Sequence, residues 1–277
     1  MNIKNFNRLV ERRKQLGQVV NIAHRGFSSS YSDNSIQAIL SALSQSYIDG
    51  VEFDVQETKD KKLILRHNLS VTTEVGNLWV KDLTLKEIRK TLSKETAPEL
   101  ENVLDMWNGP CLLDIELKSP GICSRIVELS SHKGLYEQTI FSTIYPNIDK
   151  EIEAVDANQV RMFGYPRDRG KDLAQQSWTK PFVEIVIMLM RLRIQRTVTN
   201  MMNNSNAQII SLYHRVIDDS CIQTINEADR MACAVFIRLP NTNFNDIEII
   251  NLMKIFMKRG VSIIKSDYPH IIKDVCI

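Results

Sequence analysis

Val51-Glu52-Phe53-Asp54-Val55-Gln56 sets two carboxylates two residues apart inside an otherwise apolar run. Residues i and i+2 of a strand share a face, so Glu52 and Asp54 point one way while Val51, Phe53 and Val55 point the other. Two carboxylates on a buried strand cost roughly several kcal/mol each unless positive charge stands between them. A divalent cation meets that need; so does an Arg or Lys from a neighbouring strand. Asp114-Ile115-Glu116-Leu117-Lys118 repeats the device on another apolar run, and Val19-Val20-Asn21-Ile22-Ala23 leads directly into His24-Arg25-Gly26. Charged groups gathered at the ends of apolar strands fit the mouth of an α/β barrel, whose catalytic residues come from the C-terminal rim.

Working outward, short runs rich in Val, Ile and Phe recur, each followed by a stretch with helical apolar spacing. Eight strands are expected: Val19–His24, Val51–Gln56, Pro110–Lys118, Gln138–Ile144, Gln159–Gly164, Ala207–Leu212, Ala232–Arg238 and Val261–Asp267. Helices are expected after Asn34 (Ser35–Gln45), Thr84 (Leu85–Leu92), Asn147 (Ile148–Val155) and Asn245 (Asp246–Lys258), each read as an N-cap. Leu63–His67 is an extra strand, returning beside the second. The count suits both an open doubly wound sheet and a closed barrel, and the strand-end residues favour a single (β/α)8 TIM barrel with parallel strands. It would span residues 19–277 behind an N-terminal extension, residues 1–18.

The 277 residues are 43% hydrophobic and 25% charged, enough apolar material for one large core. Net charge is +2, with basic residues scattered in short clusters such as Arg12-Arg13-Lys14, which is no nucleic-acid footprint. The five cysteines lack C-x2-C spacing and read as reduced, mostly buried thiols. Residues 1–18 hold no continuous apolar stretch, so a cytoplasmic location is the default expectation.

Glu52, Asp54 and Glu116 together form a hard oxygen site suited to calcium or magnesium, with room left for water and a phosphate oxygen. Two histidines, His24 and His67, end strands beside it. Near a bound phosphate they can divide the work of general base and general acid. Arg25 and Lys118 would hold phosphoryl oxygens. For His24-Arg25-Gly26 alone, a helix cap preceded by a solvated arginine is the plainer alternative.

The ordered set His24-Arg25-Gly26, Glu52-x-Asp54, Thr58-Lys59-Asp60, His67, Pro98-Glu99-Leu100-Glu101-Asn102, Ile115-Glu116-Leu117-Lys118, Phe141-Ser142 and Ser266-Asp267-Tyr268-Pro269 resembles the glycerophosphodiester phosphodiesterase family. The resemblance runs from about Val20 to the C-terminus. It implies that Glu52, Asp54 and Glu116 bind metal, that His24 and His67 are acid and base, and that Arg25 contacts phosphate. It also implies hydrolysis of a small-molecule glycerophosphodiester to glycerol 3-phosphate and an alcohol, with attack by the glycerol 2-hydroxyl as one route. The chain departs from the family pattern at Ser32-Asp33-Asn34-Ser35, at Asn68 in place of an aspartate, at Val71 in place of an arginine and at Asp114 in place of an asparagine. The loss of charge beside His67 should disfavour its imidazolium. Alternatives are lysophospholipase-D-like action on a lysophospholipid and a catalytically inactive barrel that binds glycerol phosphates. Retention of both histidines and all three carboxylates speaks against the last.

His132, His214 and His270 lack carboxylates at ligand spacing and read as surface or capping residues. Residues 164–170 form a candidate substrate loop with two arginines, equally readable as a polar turn. Trp79, Trp107 and Trp178 could pack a substrate, with Trp107 better suited to helix-to-barrel packing. Residues 181–202 are the least typical stretch, apolar on every side from Ile185 to Met190. Such a helix is ordinarily buried under a loop or partner. Alternatively Phe182, Ile185, Met188 and Leu189 select a lipid-like substrate or make a peripheral membrane contact.

Overall fold

The structure, a computed structural model, describes residues 1–74, 76–166, 180–237 and 246–275. Eight strands run parallel: β1 (Val20–Ala23), β2 (Gly50–Glu57), β6 (Leu112–Leu117), β7 (Thr139–Thr143), β8 (Arg161–Tyr165), β9 (Ile209–Tyr213), β10 (Met231–Phe236) and β11 (Ile263–Ser266). Because β1 pairs with both β11 and β2, the sheet closes and the open doubly wound alternative is excluded. The expected (β/α)8 barrel is the architecture observed. The extra strand β3 (Leu63–Leu65) returns antiparallel to β2, as its position suggested. A hairpin of β4 (Ser70–Thr73) and β5 (Gly76–Trp79) follows it, and Trp79 is half-exposed at its end.

The helices are α1 (Ile3–Gln15), α2 (Ile36–Leu43), α3 (Leu85–Ile88), α4 (Leu100–Met106), α5 (Cys123–His132), α6 (Pro146–Val155), α7 (Lys180–Asn204), α8 (Asp219–Glu227) and α9 (Asp246–Lys258). Their starts correct two expectations. Ser35, not Asn34, caps α2, its Oγ accepting from Ala38 N at 3.1 Å, while Asn34 takes φ 58 and turns its amide inward. Tyr145, not Asn147, precedes α6, and Pro146 occupies the first turn, where its missing N–H breaks no helical bond. Thr84 does cap α3, reciprocally with Glu87, although that helix stops at Ile88. Arg238, Asn245, Trp178, Cys276 and residues 167–170 lie outside the described residues, as does the side chain of Phe182.

Helix α1 had no counterpart in the sequence reading. Asn2 caps it and basic residues fill its last turn, both favourable to a helix. Its Phe6 is fully buried against Val20, Leu112, Ile140, Val160, Ile209 and Ile263, which fill the N-terminal end of the barrel interior. Burial of that ring contributes about 2 kcal/mol, and the extension thereby becomes the floor of the barrel. Outside the strands, α2, α4, α5 and α6 pack on one half of the barrel and α7, α8 and α9 on the other. Trp107 packs its edge on Phe53 at 5.9 Å, the helix-to-barrel role expected of it. Cys123, Cys221 and Cys233 are buried thiols; Cys111 is partly buried.

Within this chain, residues 185–190 are not covered all round. Ile187, Ile194, Val198 and Met201 of α7 are buried, whereas Ile185, Val186, Met188, Leu189 and Leu192 are exposed. A helix can press only one side onto the barrel.

Candidate active site

Alternation along the strands directs Glu52 and Asp54 of β2 and Asp114 and Glu116 of β6 to the same side, and the parallel register sets Glu52 opposite Asp114 and Asp54 opposite Glu116. Carboxylate oxygens of Glu52, Asp54 and Glu116 converge within 4.8 Å of one another. Asp114 lies one step deeper and serves a different purpose. It accepts from Ser142 Oγ at 2.5 Å and pairs with Lys265 Nζ at 2.7 Å, all three side chains being buried. The pair with Lys265 supplies the compensation that a buried carboxylate needs.

The cations around the cluster are those read at the strand ends. Lys118 Nζ stands 2.8 Å from Glu116 Oε1 and 3.2 Å from Asp54 Oδ1. Arg25 takes φ 57, which lets its backbone N donate to Glu52 Oε2 at 2.8 Å while its guanidinium donates to Asp33 at 2.8 Å and lies 3.4 Å from Asp54. Gly26 makes this turn feasible. Its φ is +80, and a Cβ there would meet the Ala38 carbonyl carbon at 2.6 Å. Asn34, inverted out of the cap position, exchanges two 2.9 Å bonds with Asp54 and fixes that carboxylate on its strand.

Asp54 therefore sits among Lys118, His67, Arg25 and Asn34, which overcome its burial and hold its pKa well below the usual range. The alternative in which Arg and Lys answer the paired carboxylates is thus realised at Asp54. It is not realised at Glu52. Burial and the charge of Asp54 push Glu52 up to about 7, and its Oε1 is buried with no hydrogen-bond partner. An orphaned buried carboxylate oxygen, facing two further carboxylates, is what a hard divalent cation requires of its donors. The residues present fit such an ion.

His24 follows β1, and its Nδ1 lies 2.6 Å from Asp267 Oδ1, just beyond β11. That contact leaves Nε2 turned toward Glu52 Oε2, at 3.9 Å. Burial and Arg25 oppose protonation of His24, but Glu52 and Asp267 outweigh them and its pKa is raised. His67 follows β3, where Gln56 Nε2 donates to the carbonyls of Arg66, His67 and Asn68 and so ties the loop to β2. Burial, Lys118 and Arg25 push His67 well below its ordinary pKa, against Asp54 and Asn68. Its Nδ1 is 3.2 Å from Asn68 Oδ1, so position 68 does stand beside the imidazole. The two histidines are thus biased in opposite directions, His24 toward and His67 away from the imidazolium.

All seven residues singled out from the sequence meet here. Asp267, Asn34, Gln56 and Lys265 had been given no role in the site. Asp267 directly follows the eighth strand and was within reach of the rule that rim residues carry chemistry; Gln56 and Lys265 give no local signal. Of the histidines set aside, His214 is not superficial. It is buried after β9, stacked on Phe236 at 4.6 Å with Nδ1 3.1 Å from the Val235 carbonyl, and burial lowers its pKa to about 4. His270 stacks on Phe27 at 5.7 Å.

A family model described as the glycerophosphoryl diester phosphodiesterase family matches residues 24–156. A glycerophosphodiester phosphodiesterase of Caldanaerobacter subterraneus subsp. tengcongensis is 34% identical over 138 residues, which cover 44% of this chain and 56% of the relative. Its counterpart in Bacillus altitudinis is 34% identical over 141 residues, covering 44% and 57%. The chain thus spans little more than half the length of these curated relatives. Among solved structures, a glycerophosphodiester phosphodiesterase of Parabacteroides distasonis superposes with a TM-score of 0.68 over 94% of this chain and 96% of its own, at 17% identity. A phosphodiesterase of Oleispira antarctica, solved in complex with the product sn-glycerol-3-phosphate, gives 0.65 over 95% and 97%, at 18% identity. Likeness at that identity bears on the fold, including the half of the barrel beyond residue 156.

Proposed function

We propose that this chain, whose residues 24–156 match the glycerophosphoryl diester phosphodiesterase family, hydrolyses a glycerophosphodiester to glycerol 3-phosphate and an alcohol. The observation that carries the reading is the convergence of Glu52, Asp54 and Glu116 near two histidines of opposite protonation bias. Glu52, Asp54 and Glu116 would hold a divalent ion, calcium or magnesium, whose charge would draw electron density from the phosphoryl oxygens.

His67, its pKa lowered by burial, Lys118 and Arg25, is the general base and takes the proton of the attacking hydroxyl: that of water, which gives glycerol 3-phosphate directly, or the glycerol 2-hydroxyl, which gives a cyclic phosphate that water then opens to glycerol 3-phosphate. His24, its pKa raised by Glu52 and Asp267, is the general acid and gives the Nε2 proton to the leaving alkoxide. Lys118 and Arg25 offset the charge that builds on phosphorus-bound oxygens. Both cations are already braced by carboxylates, so their positions are set before substrate arrives.

The test is turnover of glycerophosphodiesters and lysophospholipids by the purified chain with added calcium or magnesium. Release of glycerol 3-phosphate, falling about 10²-fold or more in His24→Ala and in His67→Ala, supports the assignment. Glycerol 3-phosphate binding without turnover of any diester assigns an inactive barrel instead, and turnover of lysophospholipids alone assigns the lysophospholipase-D-like alternative.

A further inference from the structure

Helix α7 is longer than its place in the barrel requires. Its C-terminal end sits at the floor, where the Met202 carbonyl accepts from Arg230 at the start of β10. Further up, Gln195 donates to Thr224 Oγ1 at 2.6 Å and accepts from Ser220 Oγ at 3.2 Å, both in the first turns of α8. Since α8 begins just past the C-terminal end of β9, Gln195 marks the level of the barrel rim. The fourteen or so residues before it overhang that rim by about 20 Å at the helical rise per residue. The overhang is anchored on one side, where Arg215 in the β9–α8 loop donates to Glu184 at 2.6 Å.

The opposite side is bare. Ile185 is 51% exposed, Val186 50%, Met188 55%, Leu189 48% and Leu192 76%. Ile185, Met188, Leu189 and Leu192 fall at i, i+3, i+4 and i+7, a single stripe that faces away from buried Ile187 and Ile194. Exposed Arg191, Arg193 and Arg196 adjoin the stripe, and no Asp or Glu occurs from Ile185 to Asn204. Among the described residues no carboxylate pairs with these arginines. No described helix is long and apolar enough to cross a membrane. An apolar stripe beside exposed guanidinium groups matches the boundary of headgroups and acyl chains in an anionic bilayer, which takes the one into its apolar layer and the other onto lipid phosphates.

We propose that the overhanging half of α7 docks the protein on an anionic membrane surface, beside the barrel mouth. The apolar stripe enters the interface and the three arginines give preference for anionic lipid. Docking is read without substrate, so it stands or falls separately from the hydrolytic reading.

The experiment is co-sedimentation of the full chain with vesicles of phosphatidylglycerol and phosphatidylcholine, and with vesicles of phosphatidylcholine alone, at low and high salt. Binding should favour the anionic vesicles and weaken with salt. A Leu189→Glu, Leu192→Glu variant should bind about tenfold more weakly or worse, with an unchanged circular dichroism spectrum. Should that variant fail to fold, an Arg191→Gln, Arg193→Gln, Arg196→Gln variant decides, since it must lose the preference for anionic lipid. Absence of binding to anionic vesicles, equal binding to both vesicle types, or binding untouched by both variants overturns the proposal. A wild-type dimer in light scattering that the leucine variant turns into monomer, with no vesicle binding, assigns the stripe to self-association and overturns it equally.

Discussion

Replacing Asp267 by Asn removes one charge from the site while leaving its shape. The carboxylate lies 2.6 Å from His24 Nδ1, and the Asn side chain still offers an oxygen to the same N–H, so the tautomer that presents Nε2 to the cluster survives. A hydrogen bond to a charged group is worth roughly 1.5–3 kcal/mol against about 1 kcal/mol for a neutral one. The part lost with the charge is thus about 0.5–2 kcal/mol, or about one pKa unit at the usual conversion. The sign follows from the acid role. His24 has a raised pKa and is competent while protonated, so activity falls as pH climbs through that value. Lowering it moves the alkaline limb of kcat/KM down by about one unit. On the plateau below the limb, Asp267→Asn should retain most of its rate; above both limbs it should run roughly tenfold slower. The assay is kcat/KM for a glycerophosphodiester from the neutral into the alkaline range. An unmoved alkaline limb would show that Asp267 does not govern the proton that His24 delivers, and a uniform drop at every pH would show it to be a scaffold only.

Other perturbations test neighbouring parts of the site. Because Glu52 titrates near about 7 and binds a cation as carboxylate, calcium or magnesium affinity measured by calorimetry should fall as pH drops below that value, by up to about tenfold per unit; a flat profile would remove Glu52 from the ligand set. Asn68→Asp places a negative charge beside His67 Nδ1 and should raise its lowered pKa, moving the acid limb of the rate profile upward by about one unit; no movement would count against His67 as the base. Lys265→Met leaves Asp114 buried without its cation and should cost about 3–5 kcal/mol in chemical denaturation, most of it recovered in the Lys265→Met, Asp114→Asn double variant; additive losses would refute the pairing. Gly26→Ala meets both a positive φ and the Ala38 backbone and should destabilise by about 3 kcal/mol, a loss that an unshifted melting temperature would rule out.

Much of the fold was legible because barrel strands announce themselves. Each is a short apolar run with its chemistry at one end, and a carboxylate on such a strand is conspicuous against Val, Ile and Phe. That local contrast identified Glu52, Asp54, Glu116, His24 and His67. Helix starts were less legible. Asn34 and Ser35 are both good caps in isolation, and the choice between them was made by Asp54, twenty residues on, which draws the Asn34 amide inward. Residues 1–18 looked like an extension because the value of Phe6 lies in the barrel floor that it closes.

The sequence by itself determined which residue types stand at the strand ends, and therefore the class of fold and the kind of chemistry. Tertiary structure alone decided what each of those groups experiences. Asp54 and Glu52 are two residues apart on one strand, yet Asp54 is held far below the ordinary carboxylate range and Glu52 is lifted to about 7, since the cations and the amide that approach them come from different strands and loops. The same holds for the two histidines, one raised by Glu52 and by Asp267 from the far end of the chain and the other lowered by burial and Lys118. Protonation is set by charges within a few ångströms in space, and closure of the barrel brings together charges that the chain keeps up to 243 residues apart.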